Sequence, residues 1–390
     1  MVHSRLRHAE KPIRDLAKFW PVVGVVGLRQ CGKTTLLEKN LQLPNFLSFD
    51  DEEVRDEAQA SGKVFLSRHT PPLALDEVQK VPEIFDAIKH KVDRKRIPGQ
   101  FYLTGSVRFT SLEAVRESLT GRIGLLHLHP FTLAEAHKKE LIDIQTVPKH
   151  SPRFSIEEFS QNMALGGLPV PLFTRDIKQR WNYFDQWVQT LLLRDLRRLI
   201  PGRYDPELAQ QLLQGIGKIL LNGELPTYRT LPWPAAKIGK YLLAFENCFV
   251  LRKINPHPAG VGQPAYYFGD SGLAWFFMNQ AKGEEGSLSL ARHFLLNEIF
   301  SGIEYNQAPV QNTITYFKHG KSKPVDLIWN DVPMKMVLST RLTQLGWEER
   351  ALHGAMKALK QKTAYLIAPV EKSHPANRKE IGVLPWSAWS

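Results

Sequence analysis

The chain has 390 residues, 43% of them hydrophobic and 23% charged, which excludes a disordered or low-complexity protein and leaves room for about two or three domains. Its 51 Lys and Arg against 39 Asp and Glu give a formal charge of +12, which favours polyanionic partners such as nucleic acid without saying whether the charges share one face. Two cysteines, Cys31 and Cys248, exclude a disulfide framework and a zinc knuckle and point to a reducing cytoplasm, and the absence of a signal-peptide core or a run of about 18 apolar residues argues against a membrane role.

A charged, broken N-terminal helical segment (residues 1–20) precedes a region, 21–137, in which short apolar runs alternate with helix-like stretches, the pattern of a parallel sheet flanked by helices. Strands are expected at Val22–Val26, Asn45–Phe49, Leu73–Leu75, Phe101–Thr104 and Ile123–Leu128, each too apolar to be half exposed. The basic run Lys89, Lys91, Arg94, Lys95, Arg96 reads either as a polyanion patch or as a helix end with a solvated face. Prolines and charges between Lys138 and Phe154 open a connection over 138–175. Helices dominate 176–280, where Trp181, Phe184, Trp187, Val188, Leu191 and Leu192 form the stripe of an amphipathic helix, a core pattern rather than an aromatic ligand cage. Between Leu225 and Lys253 a turn, a helix from about Pro234 and a strand at Cys248–Arg252 outline a winged helix, for which any small helical domain is the alternative. Residues 281–390 read as a small α/β domain: a helix through Leu295–Phe300, then strands near Ile314–Phe317, Val325–Trp329, Met336–Leu338 and Tyr365–Ala368.

The most informative stretch is VVGVVGLRQCGKTTLL. It holds G-x-x-x-x-G-K-T as Gly27, Gly32, Lys33 and Thr34, after an apolar strand and before a helical pattern, the context this motif requires. The glycines let backbone amides of Gly27, Leu28, Arg29, Gln30, Cys31, Gly32, Lys33, Thr34 and Thr35 wrap phosphates at a helix N-terminus. Lys33 is expected on the β- and γ-phosphates and Thr34 on Mg²⁺. Downstream, LALDE ends a strand in two carboxylates. Asp76 is suited to the Mg²⁺ hydration shell and Glu77 to orienting and deprotonating a water, a residue that a phosphotransfer kinase does not need.

QFYLTGSVRF brings Thr104 and Ser106 to a strand end, where Ser106 can reach the γ-phosphate or simply serve a turn. Arg122 in SLTGR is a candidate arginine finger, in its own subunit or a neighbour's. His127 and His129 share a strand face, a spacing open to a metal or to ordinary structural roles. A thiol at Cys31 either makes the loop oxidation-sensitive or faces away.

In order and spacing, GLRQCGKTTLL, FLSFDDEEVR, LALDEVQKV, FYLTGS, SLTGR and HLHPFTLAEA resemble the prokaryotic AAA-superfamily ATPases that carry a C-terminal domain of uncharacterised function. GGLP at Gly166–Pro169, RWNYFDQWVQTLLLRDL, KIGKYLLAFENCFVLRKI and YYFGDSGLAWFF extend the resemblance over most of the chain. It implies an ATPase domain followed by a winged helix and a region similar to the PD-(D/E)xK nuclease fold, with ATP rather than GTP as nucleotide. Glu298 and Asp326 stand where that family has acidic residues, but the E-x-K of the next strand is replaced by MVLST around Val337–Thr340, with Lys335 and Arg341 only flanking it. Loss of carboxylate and lysine predicts a nuclease-like shell without cleavage.

The leading expectation is therefore an ATP- and Mg²⁺-dependent switch or motor acting on or near duplex DNA through Lys237, Lys240 and Arg252. The resemblance also implies a homo-oligomer or a protein partner. A nucleotide-binding interaction protein with slow turnover is the second reading and an ATP-gated nuclease the third.

Overall fold

The structure is a computed structural model that describes residues 5–109, 113–143, 153–200, 202–278, 284–308, 314–320, 323–338, 346–375 and 380–390. The chain forms two compact units, one comprising Met1–Leu141 with Asn247–Phe249 and Glu304–Gln307, the other the remainder.

Unit 1 is built on five parallel strands, β1 (Val22–Val26), β2 (Asn45–Ser48), β3 (Leu73–Asp76), β4 (Phe101–Gly105) and β5 (Ile123–His127), in the order β2-β3-β4-β1-β5. Central β1 reads Val-Val-Gly-Val-Val and is buried throughout, as a strand covered on both faces must be. The edges correct the expectation of full burial. Every residue of β2 is half-buried, and Leu125 of β5 is 39% exposed, because an edge strand has a neighbour on one side only.

Helices α1 (Glu10–Ala17), α2 (Lys33–Thr35), α3 (Glu52–Ala60), α4 (Gly62–Arg68), α5 (Ile84–Arg94), α6 (Glu113–Leu119) and α7 (Leu133–Ala136) complete this unit. Asp51 caps α3 by accepting the Glu53 and Val54 amides, and α5 buries Ile84, Phe85, Ile88 and Val92. The same helix ends in exposed Arg94, Lys95 and Arg96.

Unit 2 opens with α8 (Ile156–Leu165), α9 (Pro169–Phe173), α10 (Ile177–Thr190), α11 (Leu196–Leu199), α12 (Pro206–Leu221) and α13 (Ala235–Asn247), followed by the antiparallel pair β6 (Leu251–Ile254) and β7 (Ala265–Phe268). The α10 stripe is core: Phe184, Trp187, Val188, Leu191 and Leu192 are buried, and Trp181 packs on Trp275 and Phe276. The strand expected from Cys248 starts three residues later, at Leu251. Phe249 adopts φ 63°, and the Val250 amide returns to the Phe245 carbonyl, so the chain is still leaving α13 there.

Then come α14 (Ser271–Phe277), α15 (Glu284–Tyr305) and a six-stranded mixed sheet with α16 (Gly346–Leu359). Its strands β8 (Thr315–Phe317), β9 (Val325–Trp329), β10 (Val332–Met336), β11 (Ala364–Ala368), β12 (His374–Pro375) and β13 (Ile381–Pro385) lie in the order β12-β13-β11-β10-β9-β8. The helical stretch 176–280 and the α/β stretch 281–390 both contribute to unit 2.

A correction falls on β10, expected at Met336–Leu338. Trp329 pairs with Val332 across a two-residue turn, and its residues Asn330 and Asp331 have φ 51° and 61°, the geometry of a tight hairpin that starts the return strand at once. Lys335 therefore lies inside the strand rather than beside it. Arg341 and the end of MVLST lie outside the described residues.

Candidate functional site

The loop from Gly27 to Thr35 leaves the C-terminal end of β1 at the middle of the sheet. Only glycine fits at position 27, because a Cβ there would meet the Leu128 carbonyl oxygen at 2.2 Å. Gly32 turns the chain into the helix at φ 104°, a conformation other residues rarely adopt. Helix α2 runs on as a π-helical turn over Leu36–Asn40. Leu28 and Cys31 are buried beneath the loop, the Cys31 thiol pointing to the Leu128 carbonyl at 3.5 Å, while Arg29 and Gln30 form its apex and Gln30 adopts φ 62°. Burial of the thiol favours the facing-away reading over an exposed redox group.

Lys33 is 4% exposed and donates to the Gly27 and Leu28 carbonyls at 3.0 and 3.1 Å. The Thr34 hydroxyl donates to Asp76 Oδ2 at 3.0 Å, and Ser48 reaches the same oxygen at 3.4 Å. Strand β4 lies between β1 and β3, so its end faces both carboxylates. Thr104 donates to Asp76 Oδ1 and accepts the Glu77 amide at 3.2 Å. Ser106 donates to Glu77 Oε2 at 3.2 Å, and Gln79 donates to that oxygen and, at 3.2 Å, to Ser106. Glu77 holds φ 55°, a left-handed backbone that costs a non-glycine residue about 1 kcal/mol and aims its side chain away from the strand direction. Burial pushes its carboxyl above the ordinary range; Lys33 opposes that shift and Asp76 adds to it.

The oxygen set of Thr34, Asp76 and Ser48 is that of a hard divalent cation, so Mg²⁺ fits the residues present. Arg122 is not brought to its own phosphate loop. It precedes β5 beside Val22, at the opposite end of β1 from Gly27, a strand length of about 15 Å away. There its guanidinium holds Asp93 with two bonds of 2.6 and 2.9 Å. The His127 and His129 rings lie 4.0 Å apart, His127 tilted on Phe249 at 4.4 Å and His129 edge-on to Tyr305 at 5.9 Å, and among the described residues no group of three potential metal ligands occurs.

Residues 20–137 match the family model of an AAA domain. This part of the chain is similar to an AAA domain, and its parallel sheet and glycine loop are those of a P-loop fold. The matched segment ends before unit 2 begins. Two uncharacterised proteins, one of Mycobacterium bovis and one of Mycobacterium tuberculosis, are each 24% identical over 389 residues, spanning 97% of this chain and 83% of their own. A Walker-type ATPase of Pyrococcus abyssi is similar over 71% of this chain and 99% of its own, at 14% identity and a TM-score of 0.43.

Behind the Gly27–Thr35 loop lies a group that no sequence motif marks. Arg7 is 3% exposed and divides its guanidinium among the Cys31 carbonyl at 2.9 Å, the His129 carbonyl at 2.7 Å and Glu135 at 3.1 Å, while stacking on Phe131 at 4.1 Å. Glu135 also accepts the His8 and Thr132 amides and closes a capping box on α7. Thr132-x-x-Glu135 was the readable signal for the cap. Nothing in the local pattern marks Arg7, whose partners lie 24, 122 and 128 residues away.

Proposed function

We propose that this chain is an ATP-binding and ATP-hydrolysing AAA-type protein in which nucleotide state works a switch. The observation that carries the reading is the meeting of Thr34 and Asp76 at 3.0 Å beside a buried Lys33, with Glu77 on the next residue. Amides of the Gly27–Thr35 loop hold the phosphates, and the Lys33 ammonium exchanges the Gly27 and Leu28 carbonyls for phosphate oxygens. Thr34 and Asp76 would hold Mg²⁺, directly and through its water shell, and the ion when bound draws off charge from the phosphates. Glu77 takes a proton from a water whose oxygen bonds to the γ-phosphorus as the bond to the β-bridging oxygen breaks, releasing ADP and phosphate.

Glu77 is held by Gln79 and Ser106, which supports a resting state that a partner releases. That contact equally favours the second reading, a nucleotide-tethered interaction protein with slow turnover. Duplex DNA is the partner we assign, through exposed Lys237 and Lys240 of α13. Arg252 is not part of that surface, because it stacks on Phe300 at 3.7 Å and donates to the Leu296 carbonyl. An arginine finger from a neighbouring copy would require Arg122 to leave Asp93.

Steady-state ATP hydrolysis tests the reading in the wild type, Lys33→Ala and Glu77→Gln, with and without duplex DNA. Turnover should fall by about a hundred-fold or more in both variants. Tight ATP binding with no wild-type turnover under either condition would replace hydrolysis by tethering.

A further inference from the structure

A cavity of about 940 Å³ lies within unit 2, between the segment before α13, the start of α15, the strands β8 and β10 and the residues just before β9. Among the described residues five cations line it: Arg229, Arg292, Lys318, Lys323 and Lys335. Against them, among the described residues, stand two lining carboxylates, Glu224 and Glu348. Its volume suits an organic ligand of nucleotide size, larger than an inorganic ion requires.

Asp326, the carboxylate beside Arg292 and Lys335, is already committed. Its Oδ1 lies 2.9 Å from Arg292 Nε, close enough for charge attraction although the N–H is not aligned for a hydrogen bond. Its Oδ2 accepts the Met336 amide at 2.8 Å and has the Lys335 ammonium at 3.7 Å. Two residues before Lys335, where an E-x-K motif has its carboxylate, stands Pro333. A divalent cation would have to displace the guanidinium and the ammonium to reach Asp326, and would still lack a second strand carboxylate. Lys335 itself is 4% exposed and donates to the Pro324 carbonyl at 2.8 Å, so the interior of the sheet holds a cation in a fixed position.

We propose that this cavity is a metal-independent binding site for a phosphomonoester of about nucleotide size, its phosphate held by Arg292 and Lys335 with Arg229 and Lys318 at the rim. A planar guanidinium gives the phosphate paired donors and a buried ammonium a point charge, a combination that favours a compact dianion over a neutral ligand. The phosphomonoester belongs either to a free nucleotide or to the terminal phosphate of a nucleic-acid strand.

Calorimetric titration of the full chain at low salt, with EDTA present, tests this. The ligands are thymidine monophosphate, thymidine, and an oligothymidylate with or without a terminal phosphate. A monophosphate lacks the β- and γ-phosphates that Lys33 would hold, so Lys33→Ala should leave its binding unchanged. The rim variant Arg229→Glu/Lys318→Glu and the apolar Lys335→Met should each weaken it by about ten-fold or more. Tighter binding of the phosphorylated strand than of the mononucleotide names the strand end as source, and the reverse names the free nucleotide. The proposal is overturned by the absence of saturable binding, by equal binding of thymidine, by indifference to the rim variant, or by loss of binding in Lys33→Ala.

Discussion

Arg7 ties together three places that a phosphate loop needs fixed: the carbonyl of Cys31 inside the loop, the chain just after β5 and the Thr132–Glu135 cap. Both members of the pair are nearly inaccessible, at 3% and 0%. Removing one charge leaves the other buried and unpaired, so Arg7→Ala should destabilise the protein by about 3–5 kcal/mol, with Arg7→Ala/Glu135→Ala costing less than the sum of the single changes. Urea unfolding of the four proteins in the cycle gives both numbers, and a loss below about 1 kcal/mol would show that solvent replaces the guanidinium. The contrast with Lys33 shows what a sequence can disclose about single residues. Lys33 was readable because phosphate chemistry demands a lysine at a fixed spacing from two glycines. Arg7 was not, because its role depends on backbone carbonyls that only the folded chain brings within reach, and Gln79, the holder of Glu77, escaped notice for the same reason.

Among the elements, α14 and α15 carry two buried titratable groups that pull in opposite directions. Asp270 caps α14, accepting the Gly167 and Leu273 amides, and burial pushes its carboxyl up to about 6, the amides opposing that shift. His293, inside α15 with Nδ1 against the Ser289 carbonyl, is pulled down to about 4 by burial. A raised carboxyl contributes stability below its unfolded value near 3.9 that is lost as pH rises through 6. A depressed imidazole contributes stability above 6.5 that is lost as pH falls through 4. Each amounts to about 3 kcal/mol, so their effects nearly cancel over that window. Urea midpoints measured between about pH 4 and 7 should vary little with these groups in the wild type, fall towards acid in Asp270→Asn, and rise towards acid in His293→Leu. Element boundaries were legible where apolar runs end cleanly, as at β1, and not where a turn decides. Asn330-Asp331 is a hairpin signal lying between two apolar runs, and that turn sets the start of β10 and with it the meeting of Lys335 with Asp326.

Across the whole molecule, the formal charge of +12 is a statement about partners rather than about fold. The duplex-binding assignment expects Lys237→Glu/Lys240→Glu to weaken binding and to flatten the salt dependence by about 0.9 in log-log slope for each phosphate that is no longer neutralised. Equal binding and an equal slope in the variant would remove α13 from the interface. Local patterning disclosed the phosphate-binding half well, since a parallel sheet with a glycine loop is written in contiguous stretches. It disclosed less of the second half, whose sheet is assembled from short strands and whose β12 and β13 had no separate signal. The span between Arg7 and Glu135 has a further consequence, for the order of events during synthesis. At about 5–20 residues per second the ribosome adds the 100 residues from Thr35, the end of the loop, to Glu135 in roughly 5–20 seconds. For that interval the nascent phosphate loop exists without its clasp, a window in which the chain depends on whatever shelters it at the ribosome exit.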